Sequence, residues 1–212
     1  PIVVGGTGLY ANSLIYGIEY DDIKLDEKYR EELMNIAETQ EGLEKLYNEA
    51  KKIDEKAIEK ISPNDKKRII RILEIYKATG KNKTEQEIES RKKEVKYDYK
   101  IFGINIERPI LYERINKRVD IMIEQGLIEE VKNLIKKYPE FTTSMKAIGY
   151  KEIVEYLNNE LSLGEAIEKI KQETRRYAKR QITWFKRIEN LKWLDGLEKT
   201  QNNINIILET NY

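Results

Sequence analysis

The spacing of apolar residues changes along this chain, and each change predicts a different kind of element. Ile2-Val3-Val4 is a short, wholly apolar run closed by Gly5-Gly6, which predicts a buried strand of a parallel sheet. Leu9-Tyr10-Ala11-Asn12-Ser13-Leu14-Ile15 then reads as a helix, so strand, glycine turn and helix follow in α/β order. From Glu19 onward the alternation of strands disappears. Tyr29, Leu33, Ile36 and Ala37, then Leu43, Leu46, Tyr47 and Ala50, fall at helical spacing. Ser62-Pro63-Asn64-Asp65 predicts a further helix start, with Ser62 as N-cap, Pro63 in the first turn and Asp65 as the acidic partner three residues on. That helix carries an apolar stripe of Ile69, Ile72, Leu73 and Tyr76 and a basic face of Lys67, Arg68 and Arg71, and Gly80 is its predicted stop.

Residues 81 to 96 are almost entirely polar and read as a charged connector with some helix. Lys100-Ile101-Phe102-Gly103-Ile104-Asn105-Ile106 predicts a strand, and Pro109 opens a long helix with Leu111, Ile115, Val119 and Met122 inward. Gly126 interrupts it before Leu127, Val131 and Leu134 resume the pattern. The simplest architecture is a partial α/β core from residues 1–19 and 97–212, interrupted by a helical insertion domain at 20–96, with helix dominating overall.

Composition narrows the chemistry. At 212 residues the chain can bury a real core, and it has no apolar run near the ~18 residues a membrane helix needs. Neither does it show a tripartite secretory signal, so a cytoplasmic location is expected. Without cysteine or histidine it lacks disulfides, thiolate metal sites and the usual neutral-pH acid/base. Chemistry has to rest on Asp, Glu, Lys, Arg, Tyr, Ser or Thr, or on Mg²⁺ held by oxygen. The 39 basic and 38 acidic side chains balance globally but not locally. Between Tyr20 and Glu59 acidic residues outnumber basic ones 13 to 7, whereas Arg175 to Arg187 holds six cations and no acid.

That basic segment, Tyr177-Ala178-Lys179-Arg180-Gln181-Ile182-Thr183-Trp184-Phe185-Lys186-Arg187, sets cations beside aromatics on one amphipathic helix, as a nucleic-acid surface does. Its other reading is a packed and solvated helix, with Tyr177, Ala178, Ile182, Phe185 and Ile188 inward. Gly5-Gly6-Thr7-Gly8 before a helix can cradle a phosphate on backbone N–H groups and a hydroxyl, or can be a tight turn that needs glycine only for its backbone angles. Arg114 and Arg118, four apart, project two guanidinium forks from one helix face, either for phosphates or for salt bridges with Glu113 or Asp120. Lys67, Arg68 and Arg71 form a similar cluster.

Taken in order, Pro1-Ile2-Val3-Val4-Gly5-Gly6-Thr7-Gly8-Leu9-Tyr10, Pro63-Asn64-Asp65 with Arg68-Ile69 and Arg71, Glu107-Arg108-Pro109 with Arg114 and Arg118, Ile148-Gly149-Tyr150-Lys151, and Ala178-Lys179-Arg180-Gln181-Ile182-Thr183-Trp184-Phe185 resemble the tRNA dimethylallyltransferase, or tRNA isopentenyltransferase, family. The resemblance implies a P-loop-NTPase-like α/β core, here partial, and transfer of a dimethylallyl group from its diphosphate to N6 of the adenosine 3′ of a tRNA anticodon. It implies that Thr7 and Arg30 stabilise the transition state and that Arg114 and Arg118 hold the diphosphate. It also implies tRNA contacts by Lys67, Arg68 and Arg71, by Lys146, Gly149, Tyr150 and Lys151, and by Arg176, Lys179, Arg180, Gln181, Thr183, Trp184 and Lys186. Mg²⁺ is the implied cofactor, with ligands largely outside these residues, and the implied partners are the tRNA anticodon stem-loop and dimethylallyl diphosphate, bound by a monomer.

The departures are equally specific. The family's Gly-Pro-Thr followed by Gly-Lys-Ser/Thr, and its general-base Asp in a Ser/Val-Asp-Ser context, do not occur in the chain. Ser62 stands where a His commonly precedes Pro-Asn-Asp. The chain therefore reads as a fragment that begins after the phosphate loop and is inactive alone. The competing readings are a free-standing, catalytically inactive RNA-binding module and a small nucleotide kinase-like domain, the latter opposed by the basic aromatic helix.

Overall fold

The computed structural model describes residues 1–18, 26–90, 95, 97–138 and 143–210. The chain divides into two units, Leu9–Tyr99 and Pro1–Gly8 with Lys100–Tyr212, each with its own apolar core. Among the described residues no helix is long and apolar enough to cross a membrane.

Within Leu9–Tyr99 the described elements are all helices: α1 (Gly8–Ile15, whose first residue belongs to the other unit), α2 (Glu27–Ile36), α3 (Gln40–Ile53), α4 (Glu55–Ile58), α5 (Lys66–Thr79) and α6 (Lys83–Ser90). Their apolar stripes meet in a core of Leu33, Leu43, Leu46, Ile58, Ile69, Ile70, Ile72 and Leu73. Capping side chains fix where the helices begin. Asp26 Oδ1 accepts from Tyr29 N at 3.1 Å to start α2, and Thr39 Oγ1 accepts from Gly42 N at 3.1 Å to start α3. Buried Asp54 starts α4 through Ala57 N and also accepts from the N–H and hydroxyl of Thr84, both at 2.7 Å, so one carboxylate ties α6 to α4.

Two details of α5 differ from the sequence expectation. The N-cap is Asp65, whose Oδ1 accepts from Arg68 N at 3.2 Å, and Ser62 instead closes the preceding turn by accepting from Asn64 N. Asp caps as well as Ser, and Pro63 is accommodated in the turn instead of the first helical position. Tyr76 is exposed, while Ile70 and Ile75 are buried, so α5 is covered on more of its circumference than a single stripe requires. Gly80 does end the helix, in the left-handed conformation at φ +69°, with its N–H on Tyr76 O.

In the other unit β1 (Phe102–Asn105) pairs in parallel with β2 (Lys192–Asp195), Phe102 opposite Lys192 and Asn105 opposite Asp195. Between them run α7 (Arg108–Glu124), α8 (Leu127–Lys137), a 3₁₀ turn (Thr143–Lys146), α9 (Tyr150–Leu157) and α10 (Leu163–Phe185), and α11 (Thr200–Glu209) follows. Val119, Leu127, Val131, Met145, Ile153 and Ile170 form the core among them. Gly126 breaks α7 from α8 at φ +98°. The strand predicted at Ile2-Val3-Val4 is not formed: these residues are irregular and 92%, 72% and 90% exposed. An apolar run becomes a strand only against a hydrogen-bonding neighbour, and the sheet among the described residues is made by β1 and β2 alone.

Candidate functional site

Gly5, Gly6, Thr7 and Gly8 lie along the C-terminal half of α10. Gln181 Nε2 donates to Gly6 O at 2.8 Å, and a Cβ on Gly6 would stand 2.2 Å from that same nitrogen. A Cβ on Gly8 would stand 2.2 Å from Cδ1 of the Trp184 indole. None of these three glycines has a positive φ. The backbone-angle explanation for glycine here therefore fails, and close approach to α10 replaces it at Gly6 and Gly8. Thr7 is held between two glycines pressed on α10, and its side chain faces solvent.

α10 is a 23-residue helix started by a reciprocal capping box between Ser162 and Glu165. Glu155 and Asp120 pair with Lys169 and Lys171 on its N-terminal half, and these carboxylates hold both ammonium groups above the usual lysine range. Farther on, Arg175 Nη1 donates to Asn116 Oδ1 of α7 at 2.5 Å, fixing the helix against α7. Beyond this point Lys179, Arg180 and Lys186 are exposed, and Arg180 lies over the Tyr177 ring at 5.7 Å. Arg176 pairs with Glu173 at 2.5 Å, and the Thr183 hydroxyl donates back to Lys179 O. α10 thus combines both readings of its sequence: Gln181 and Trp184 hold the glycine segment, Ile188 just beyond it is buried, and the cations remain outward.

Arg114 and Arg118 are exposed on α7, and among the described residues neither pairs with a carboxylate. Asp120, with Glu113 one of the two expected neutralisers, is taken by Lys171 at 2.8 Å. In the Ile148–Lys151 motif Gly149 is buried at φ +100°, and its N–H donates to buried Glu152 at 2.8 Å. The Tyr150 hydroxyl donates to Glu130, which raises its pKa, while Lys146 and Lys151 stay exposed.

In the helical unit Lys67 and Arg68 are exposed on α5, with Arg68 paired to Asp65 at 3.3 Å. Arg30 on α2 and Arg71 on α5 converge on Glu74. Arg30 Nε is 3.6 Å from Oε1 and Arg71 Nη1 is 3.8 Å from Oε2. Glu74 is a residue the motif reading passed over, although a carboxylate within the apolar run Ile69 to Ile75 is a visible anomaly. Gly6 and Gly8 as contact points, and Asn116 and Arg175 as a tie, left no such mark. Among the described residues no three His, Cys, Asp or Glu side chains gather where they could hold a metal ion.

The family profile described as IPP transferase matches residues 1–188. The chain is 52% identical over 196 residues to the tRNA dimethylallyltransferase of Caldanaerobacter subterraneus subsp. tengcongensis, covering 91% of the chain and 62% of that protein. It is 47% identical over 216 aligned positions to the same-named protein of Acetivibrio thermocellus, covering 99% and 69%. The tRNA isopentenylpyrophosphate transferase of Bacillus halodurans superposes with a TM-score of 0.59 at 40% identity over 95% of this chain and 62% of that one. A eukaryotic dimethylallyltransferase solved acting on tRNA gives a TM-score of 0.69 at 30% identity, over 98% and 55%. The chain thus spans 62% of the length of the Caldanaerobacter relative.

Proposed function

The chain belongs to the IPP transferase family, and from that membership we propose that it forms the tRNA-facing and diphosphate-facing part of a tRNA dimethylallyltransferase built on a P-loop-NTPase-like core. In the proposed reaction the bond between C1 of the dimethylallyl group and the diphosphate oxygen breaks. A bond from C1 to N6 of the adenosine 3′ of the anticodon forms, and the N6 proton passes to a base. Negative charge accumulates on the departing diphosphate, so donors aimed at it lower the barrier. The Thr7 hydroxyl and Arg30 take that role in this reading, with the unneutralised Arg114 and Arg118 holding the diphosphate. Lys67, Arg68, Arg71, Lys146, Lys151, Arg176, Lys179, Arg180 and Lys186 would meet tRNA phosphates, and the target base would be flipped out of its loop. A monomer acting in the cytoplasm suffices for this chemistry.

The observation that carries the reading is the seating of Thr7 between Gly6 and Gly8 on Gln181 and Trp184. It supports one helix serving two tasks, an outward cationic face for RNA and a hold on the backbone on either side of Thr7, whose hydroxyl stays free for the leaving group. Because the Gly-Lys-Ser/Thr and Ser/Val-Asp-Ser motifs do not occur in these residues, the 212-residue chain alone should leave tRNA unmodified. A polypeptide joining it to a segment with both motifs should produce N6-dimethylallyl adenosine, read by mass spectrometry of digested tRNA. In that active form Thr7→Ala should lower turnover roughly a hundredfold or more, the usual cost of one transition-state donor, with little change in tRNA affinity. Full turnover by Thr7→Ala would remove the hydroxyl from the chemistry. RNA binding with no modification in the joined form would favour the inactive binding module.

A further inference from the structure

The Glu74 side chain is 2% exposed, and neither carboxylate oxygen accepts a hydrogen bond. Leu73 and Ile75 beside it in α5 are buried and apolar. Its two cations stand within ion-pair range but beyond hydrogen-bond length, at 3.6 Å and 3.8 Å, and their side chains are 46% and 40% exposed. As a device for stability this is poor, because a buried ion pair can often be replaced by apolar groups without loss. As a device for orientation it is well formed. Each oxygen faces a different guanidinium, one from α2 and one from α5 itself, and each draws a single edge inward. The remaining N–H donors of Arg30 and Arg71 stay available to a ligand.

We propose that Glu74 is a positioning residue that sets the guanidinium planes of Arg30 and Arg71 toward the anionic groups of bound RNA. The proposal rests on the reading that Arg71 meets tRNA, gives Arg30 an RNA contact besides its place at the leaving diphosphate, and makes a prediction of opposite sign to simple electrostatics. Removal of an anion beside two cations should tighten RNA binding if only charge matters. Loss of their orientation should weaken it.

The test uses the 212-residue chain and a labelled anticodon stem-loop RNA, with affinity from fluorescence anisotropy and folding from thermal denaturation. Glu74→Gln should melt at or above the wild-type temperature and bind RNA about three- to tenfold more weakly, within the lower part of the range of pairwise couplings. Combined with Arg71→Met it should add little to the loss from Arg71→Met alone. Unchanged or tighter binding by Glu74→Gln, or full additivity, overturns the proposal. Should Glu74→Gln not fold, Glu74→Asp decides: it keeps the charge but draws the carboxylate back by one methylene, so a matching loss supports orientation and wild-type affinity refutes it. If Arg30→Met and Arg71→Met bind as wild type while Lys179→Glu with Arg180→Glu abolishes binding, the role of Glu74 falls and the RNA reading stands. If the wild-type chain does not bind the stem-loop, both fall.

Discussion

A methyl group added at Gly8 has nowhere to go without moving the Trp184 indole, whereas one added at Gly5 meets nothing within 4 Å. Two effects oppose each other in Gly8→Ala. Alanine inside a helix gains about 1 kcal/mol over glycine, less at the helix start where Gly8 sits, and forced overpacking costs about 1–3 kcal/mol. Overpacking should win, so Gly8→Ala should lower the melting temperature of the chain by several degrees, while Gly5→Ala should leave it unchanged. A thermal scan of both variants checks the pair. At this scale the sequence was legible where chemistry is local: Gly-Gly-Thr-Gly marked itself as a special turn, and the basic aromatic run marked itself as a surface. It could not say what the glycines pack against, because Gln181 lies 175 positions from Gly6. The partner of Arg175 was hidden for the same reason.

Helices were largely readable because each carries its own period and stops, as in the left-handed glycines at 80 and 126. Strands depend on a neighbour. Lys192-Trp193-Leu194-Asp195 is too short and mixed to announce β2, and Ile2-Val3-Val4 is apolar enough to mislead. Capping was right in kind and displaced in place, since Ser62 and Asp65 are both good caps and only the turn at Pro63 chooses between them. One cap offers a direct check. The Asp26 carboxyl is held below its ordinary value of 3.8, chiefly by the Tyr29 N–H and then by Lys77, whose ammonium also lies 3.7 Å from the centre of the Tyr29 ring. A depressed carboxylate stabilises the folded state above its unfolded pKa, and that contribution is lost as pH falls through the folded value. Asp26→Asn should therefore melt below wild type at neutral pH, with the gap closing below pH 3.8. A gap that persists in acid would assign the cap to shape instead of charge.

Across the molecule the charges nearly cancel, so any attraction to RNA must come from where the cations sit. Stem-loop binding should weaken steeply as salt rises, and Lys179→Glu with Arg180→Glu should both weaken it and flatten that dependence, as seen by filter binding at two salt concentrations. Binding indifferent to salt would leave α10 as a packed, solvated helix. The division of the chain was expected at residues 20 and 96, from the change of period and the polar connector, while the structural units meet at 8/9 and 99/100. The grip of α10 on the glycine segment keeps Pro1–Gly8 in the unit of β1 and β2, a tie no local pattern encodes. The same grip has an optical consequence. The chain has two tryptophans, Trp184 and Trp193, and both belong to the unit formed by Pro1–Gly8 and Lys100–Tyr212, which leaves the helical unit without an indole. Emission excited at the red edge of indole absorption reports one unit alone, whereas far-ultraviolet ellipticity sums both. Since each unit has its own core, the two signals should give different midpoints on urea titration, and a coincident pair would mean that the chain unfolds as one cooperative block.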